Sequence, residues 1–127
     1  MLYRVESKKP ISDVARDLEA AVARHKFGVL GVHDLKGKLN EKGVPFERDC
    51  LIFEICNPVQ AKRVLEKHME ISTALPCRIS LYSEGAGTKL ATLRPSALIE
   101  LYKAEGLEDV AGEVEDALVR IMDEAAR

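Results

Sequence analysis

Several features that would assign a function at sight are scarce in this chain of 127 residues. No run of apolar residues approaches the roughly eighteen needed to cross a bilayer as a helix. The opening "MLYRVESKKP" lacks the apolar centre of a secretory signal. A soluble, cytoplasmic protein without a membrane partner is the expectation. Charge of one sign is missing too: 19 Lys and Arg are interleaved with 21 Asp and Glu, for a formal net charge of -2. Without a basic stripe, the phosphate-driven attraction behind most nucleic-acid binding has no source. Only three cysteines occur, Cys50, Cys56 and Cys77, without CxxC spacing. That number and pattern argue against a disulfide framework and a zinc knuckle, and reduced thiols are expected. Amides are few, with two Asn and one Gln beside many Glu, Lys and Arg, a balance that points to a thermophilic source.

What is present is a globular composition, 46% hydrophobic and 31% charged. A chain of this size buries about two-thirds of its unfolded surface around one core, so residues 1–127 are read as a single domain without repeat or linker. Leu2 to Glu6 alternates as a strand does. Pro10 then opens a helix whose apolar positions Ile11, Val14, Leu18 and Val22 recur at helical spacing, with His25 at its end and Gly28 expected to stop it. A second strand, Gly28 to His33, leads to Asp34, a good cap for a short helical turn through Leu35 and Leu39. "DCLIFEIC" is the strongest strand signal. Leu51, Phe53 and Ile55 form one apolar face, and Cys50, Ile52, Glu54 and Cys56 a mixed one. Asn57, Pro58 and Gln60 have the order of a helix start with a capping box. A strand from Arg78 to Ser83 turns through "EGAG" into another, Thr88 to Arg94, which makes a hairpin. Pro95 starts a short helix, and Leu107 to Ala126 forms the last one, acidic on its outer face. The resulting expectation is an α+β fold of two layers: a mixed or largely antiparallel sheet of about five strands, with helices packed on one face.

Each motif that could carry chemistry also has a plain structural reading. Cys56 precedes a helix N-terminus, where unpaired N–H groups and the helix dipole can stabilise a thiolate; a small buried hydrophobe at a capped helix start explains it equally. In "LPCRIS", Cys77, Ile79 and Leu81 share a face, and Arg78, Ser80 and Tyr82 the other. Arg78 is therefore free to meet Glu54 or an anionic ligand. If the third strand, the following helix and the fourth strand form a crossover unit, the strands are parallel. Cys56 and Cys77 then stand about 20 Å apart, too far for a bridge or a shared metal. The same topology would bring His25, His68 and Cys77 to one end as three possible metal ligands, although no close His pair supports them. "GAGTK", Gly85 to Lys89, lacks the order and the following helix of a phosphate loop. No Gly-x-Ser-x-Gly elbow exists either, and no cofactor is expected.

The run "FEICNPVQAKRVLEKHMEISTALPCRISLY" resembles the signature of the domain-of-unknown-function family 302. The likeness lies in its Cys-Asn-Pro with a following Ala, its Leu-Pro-Cys-Arg-Ile and its later Tyr, and extends loosely to "HKFGVLGVHDL" and "EGAGTKLATLRP". The resemblance implies a compact α+β fold with an antiparallel or mixed sheet and helices packed on one side, compatible with a dimer, and it assigns no function. Cys56, Asn57, Pro58, Leu75, Pro76, Cys77 and Arg78 are carried over as signature positions only.

Three functions of different class follow as expectations. The first is a non-catalytic, homodimeric binding or assembly module, with a small anionic or organic ligand near Glu54, Cys56, Asn57, Cys77, Arg78 and Tyr82. The second is a thiol-dependent enzyme or redox sensor using Cys56. The third is a metal-binding protein using His25, His68 and Cys77.

Overall fold

Local chemistry sets most of the elements. The computed structural model describes residues 1–127, in the order β1 (Leu2–Ser7), α1 (Ile11–Arg24), β2 (Gly28–Asp34), α2 (Leu35–Glu41), β3 (Cys50–Cys56), α3 (Pro58–Lys67), a 3₁₀ helix (Met69–Ala74), β4 (Cys77–Glu84), β5 (Gly87–Leu93), α4 (Pro95–Leu101) and α5 (Glu108–Ala126). Asp34 caps α2 by accepting from the Gly37 N–H at 3.0 Å, as its side chain predicts. The β4–β5 hairpin turns through Gly85 and Ala86, between the paired Glu84 and Gly87. Gly85 has φ 59°, a conformation that glycine takes without steric cost. A side chain on Gly87 would run into the Ser7 carbonyl oxygen.

One helix end differs from expectation. Gly28 lies inside β2 and does not stop α1. Lys26 takes the left-handed conformation, φ 63°; its N–H bonds Ala23 O at 3.1 Å, and the Phe27 N–H bonds Val22 O at 3.0 Å. This paired bonding satisfies the last carbonyls of the helix, and buried Phe27 supplies the hydrophobic contact that goes with it. The tertiary anchor at Phe27 thus fixes the stop two residues before the glycine.

The five strands pair in the order β1-β5-β4-β3-β2, and all four pairings are antiparallel. The expected parallel β3–α3–β4 crossover is therefore absent. Ile55 stands opposite Cys77, so the chain leaves β3 and re-enters β4 at the same end of the sheet. The reason is competition for the sheet face. α1 and α5 pack against each other and against the sheet, and Val14, Leu18 and Val22 meet Leu118, Ile121 and Met122 above Phe53, Ile55, Ile79, Leu81 and Leu90 in one core. No place is left there for a third helix, and α3 buries none of its residues. No helix is long and apolar enough to cross a membrane. The other face of the sheet carries no helix in the chain order, and Leu2 and Leu93 stay exposed on it, paired across β1 and β5.

Candidate functional site

The end of the sheet where β3 finishes and β4 begins is also where β5 finishes, because Ser80 pairs with Ala91. α3, the 3₁₀ helix and α4 all start or stop there. Asn57 caps α3, its Oδ1 accepting from the Gln60 N–H at 3.1 Å, with Pro58 at the first helical position. The return bond of a capping box is not made. Instead the Gln60 Nε2 donates to Glu113 Oε2 of α5 at 3.4 Å, beside Arg63 Nη1 at 2.8 Å. The Arg63 hydrogen bond and charge hold the Glu113 carboxyl below the usual glutamate range. Further along, Lys67 Nζ donates to Gly106 O at 2.9 Å, His68 Nε2 to Glu105 O at 3.0 Å, and Thr73 Oγ1 pairs with Tyr102 OH at 2.6 Å.

These polar ties hold α3 and the 3₁₀ helix against α5 and the α4–α5 connection, with Ile71 in the core and Val64 packed against it. Beside α3 lies a cleft of about 460 Å³, lined by 29 residues of which 21 are hydrophobic, and it takes in α4 and the helix-free sheet face at Leu2, Ile52, Arg78 and Leu93 as well as the helix side. That volume falls within the range of roughly 300–1,000 Å³ typical of small-molecule sites. Small side chains line it: Ala61 and Val64 of α3, Val110 and Ala111 of α5, and Cys77 at the start of β4. Among the lining residues Arg78 is the single charged one. Gln60 contributes Oε1, which is buried and without a partner because its amide nitrogen is turned to Glu113.

Arg78 sits on the helix-free face directly opposite Glu54. Its Nε lies 3.6 Å from Glu54 Oε2, beyond hydrogen-bond length, and its side chain is 59% exposed. Glu54 is held more closely by His33, whose Nε2 lies 2.8 Å from Oε1. The His33 hydrogen bond keeps the Glu54 carboxyl below its ordinary range, with the Arg78 charge adding to the effect. The expected Glu54–Arg78 meeting is present, and His33 is the partner that sequence reading missed. No local pattern marks it, since the contact depends on the register that sets His33 opposite Ile52. Of the other candidates, Cys56, Asn57 and Cys77 line the cavity with Arg78, whereas Tyr82 does not. Tyr82 lies under the Arg48 guanidinium, 5.7 Å from its ring centre.

The two cysteines are closer than a parallel topology implied. Cys77 pairs with Ile55, the neighbour of Cys56, so the separation of about 20 Å is overturned by the antiparallel register. Successive strand residues face opposite ways; Cys77 packs against the core with Ile55, and Cys56 falls on the other side. Vectors that diverge in this way do not suit a bridge, and all three cysteines are free. Burial pushes the Cys77 thiol up to about 11 and raises that of Cys56 as well. Alkylation by iodoacetamide should therefore be slow for both at neutral pH and should rise only above about pH 9, Cys77 last. Mass-spectrometric mapping against pH checks this; preferential labelling of Cys56 near pH 6 would contradict it.

The three proposed metal ligands do not come together. His25 Nε2 pairs with Glu124 Oε1 of α5 at 2.9 Å, His68 bonds the Glu105 carbonyl, and Cys77 is buried beside the cavity. No group of three His, Cys, Asp or Glu side chains is placed to hold a metal ion.

Comparison with known proteins agrees with the fold and adds no activity. The family described as Domain of unknown function DUF302 matches residues 3–125. The crystal structure of an uncharacterized conserved protein DUF302 from Bacillus stearothermophilus is similar with a TM-score of 0.92 at 30% identity, over 99% of this chain and 98% of that one. No curated protein matches the chain.

Proposed function

Because the chain belongs to the DUF302 family, whose description assigns no activity, we propose from the geometry that it is a non-catalytic small-molecule-binding module with its ligand in the cleft beneath α3. The observation that carries this reading is the cavity itself, about 460 Å³ and mostly hydrophobic in a protein of 127 residues. The cleft is concave, mostly apolar and carries few polar groups, which is the usual character of a small-molecule site. A neutral fluorescent apolar probe, N-phenylnaphthylamine, is expected to bind with one site per chain and a blue-shifted emission. A titration with no saturable signal would remove the reading. The thiol-dependent alternative has less support, since burial disfavours the thiolate at both cysteines near the cleft.

The same reading keeps the helix-free sheet face, where Leu2 and Leu93 are exposed, as the surface for a second copy of the chain, which would then also wall the cleft, because Leu2 and Leu93 line it. Sedimentation at micromolar concentration is expected to show a dimer, and a monomer would discard that part.

A further inference from the structure

Resting on the cleft as the binding site, the geometry points to the chemical class of its ligand: we infer a small organic monoanion, an apolar body with one carboxylate-like head, whose head group pairs with Arg78. The distribution of charge carries this. Asp, Glu, Lys and His are all absent from the cavity lining, and Arg78 alone is charged. A ligand cation would find no carboxylate there, and a wholly neutral ligand would leave the guanidinium unused at the edge of an apolar space.

Arg78 is also available. Its contact with Glu54 is a long one, Nε at 3.6 Å, while the nearer bond to Glu54 comes from His33 at 2.8 Å. The terminal nitrogens of Arg78 make no hydrogen bond within the protein, so the two-pronged donor geometry that suits a carboxylate is unspent. Glu54 keeps its His33 hydrogen bond when Arg78 turns to a ligand. The position fits as well. Arg78, on the helix-free side of β4, lines the same cleft as Ala61, Val64 and Val110 on the helix side, so a head group at Arg78 and a body among those residues belong to one site.

The test is displacement of N-phenylnaphthylamine from the purified full chain by decanoate, by naphthoate and by decanol as the uncharged control. Decanoate or naphthoate should compete, and whichever is stronger tells a chain-shaped body from a ring-shaped one. Arg78→Gln should weaken that anion about tenfold, the scale of a charge-assisted hydrogen bond of about 1.4 kcal/mol. Decanol and the probe itself should be unchanged, and Arg78→Lys should recover part of the loss. If R78Q binds the anion as the native chain does, or if decanol competes as well as decanoate, the inference is overturned while the cleft reading stands. If the neutral probe does not bind at all, both fall.

Discussion

Phe53→Ala is expected to lower the free energy of unfolding by about 3–5 kcal/mol, the usual cost of emptying a buried aromatic site. Phe53 is 1% exposed and stands on the core face of β3, between Val32 and Ile79 in the neighbouring strands. Its ring meets the packed layer that α1 and α5 lay over the sheet. The strands on either side are held by ladder hydrogen bonds and the two helices by each other, so the site has little freedom to collapse. Guanidinium denaturation should show a lower midpoint with the slope nearly unchanged. As a comparison, Leu101→Ala, at a residue 66% exposed, should change stability by no more than about 0.5 kcal/mol. A Phe53→Ala cost below about 1 kcal/mol would mean that β3 is not covered as described.

The second large effect concerns the cleft. Ala61→Phe places a ring in the cavity from the α3 side, where Ala61 faces the α5 wall. Binding of the neutral probe should fall at least about tenfold, or 1.4 kcal/mol. The melting temperature should hold or rise, because the added ring fills space that is already there. Lost binding with retained stability separates a blocked site from a damaged fold. Val59→Phe serves as the control on the same helix, since Val59 is 71% exposed and points away; it should bind the probe as the native chain does. Unchanged binding by A61F would move the ligand elsewhere.

The α3 stripe shows where sequence reading was sound and where it stopped. Ala61 and Val64 do lie on its inner side, as helical spacing implies, and Asn57 does cap it. What spacing could not show is that the inner side also lines a cleft. The stripe is apolar in both cases, and the ties from Gln60 and Arg63 to Glu113, fifty residues and more along the chain, fix where the helix sits against α5. Leu98 and Tyr102 of the α4 region also line the cleft, Tyr102 through its hydrogen bond to Thr73, another contact that no local pattern marks. An inward residue in a pattern is the same whether it meets a neighbour or a gap.

The cysteines make the point from the other direction. Alternation correctly set Cys77 with the core and Cys56 on the mixed face, because side-chain direction along a strand is a local matter. Their separation depended on whether β3 and β4 run parallel, which depends on what covers the sheet. That cover is α5, the last element of the chain, and no local signal near β3 reports it.

By itself, then, the sequence determined the order of the strands and α-helices, though not the 3₁₀ helix Met69–Ala74, along with the caps at Asp34 and Asn57, the hairpin at Gly85 and the apolar face of β3. All of these follow from interactions within a few residues, whose free energies do not wait on the rest of the chain. The tertiary structure alone decided the antiparallel return at Cys77, the helix stop at Lys26, the His33–Glu54 contact and the cavity beside Arg78. Each of those arises from competition among distant segments for one sheet face, and from the space left where α1 and α5 prevailed.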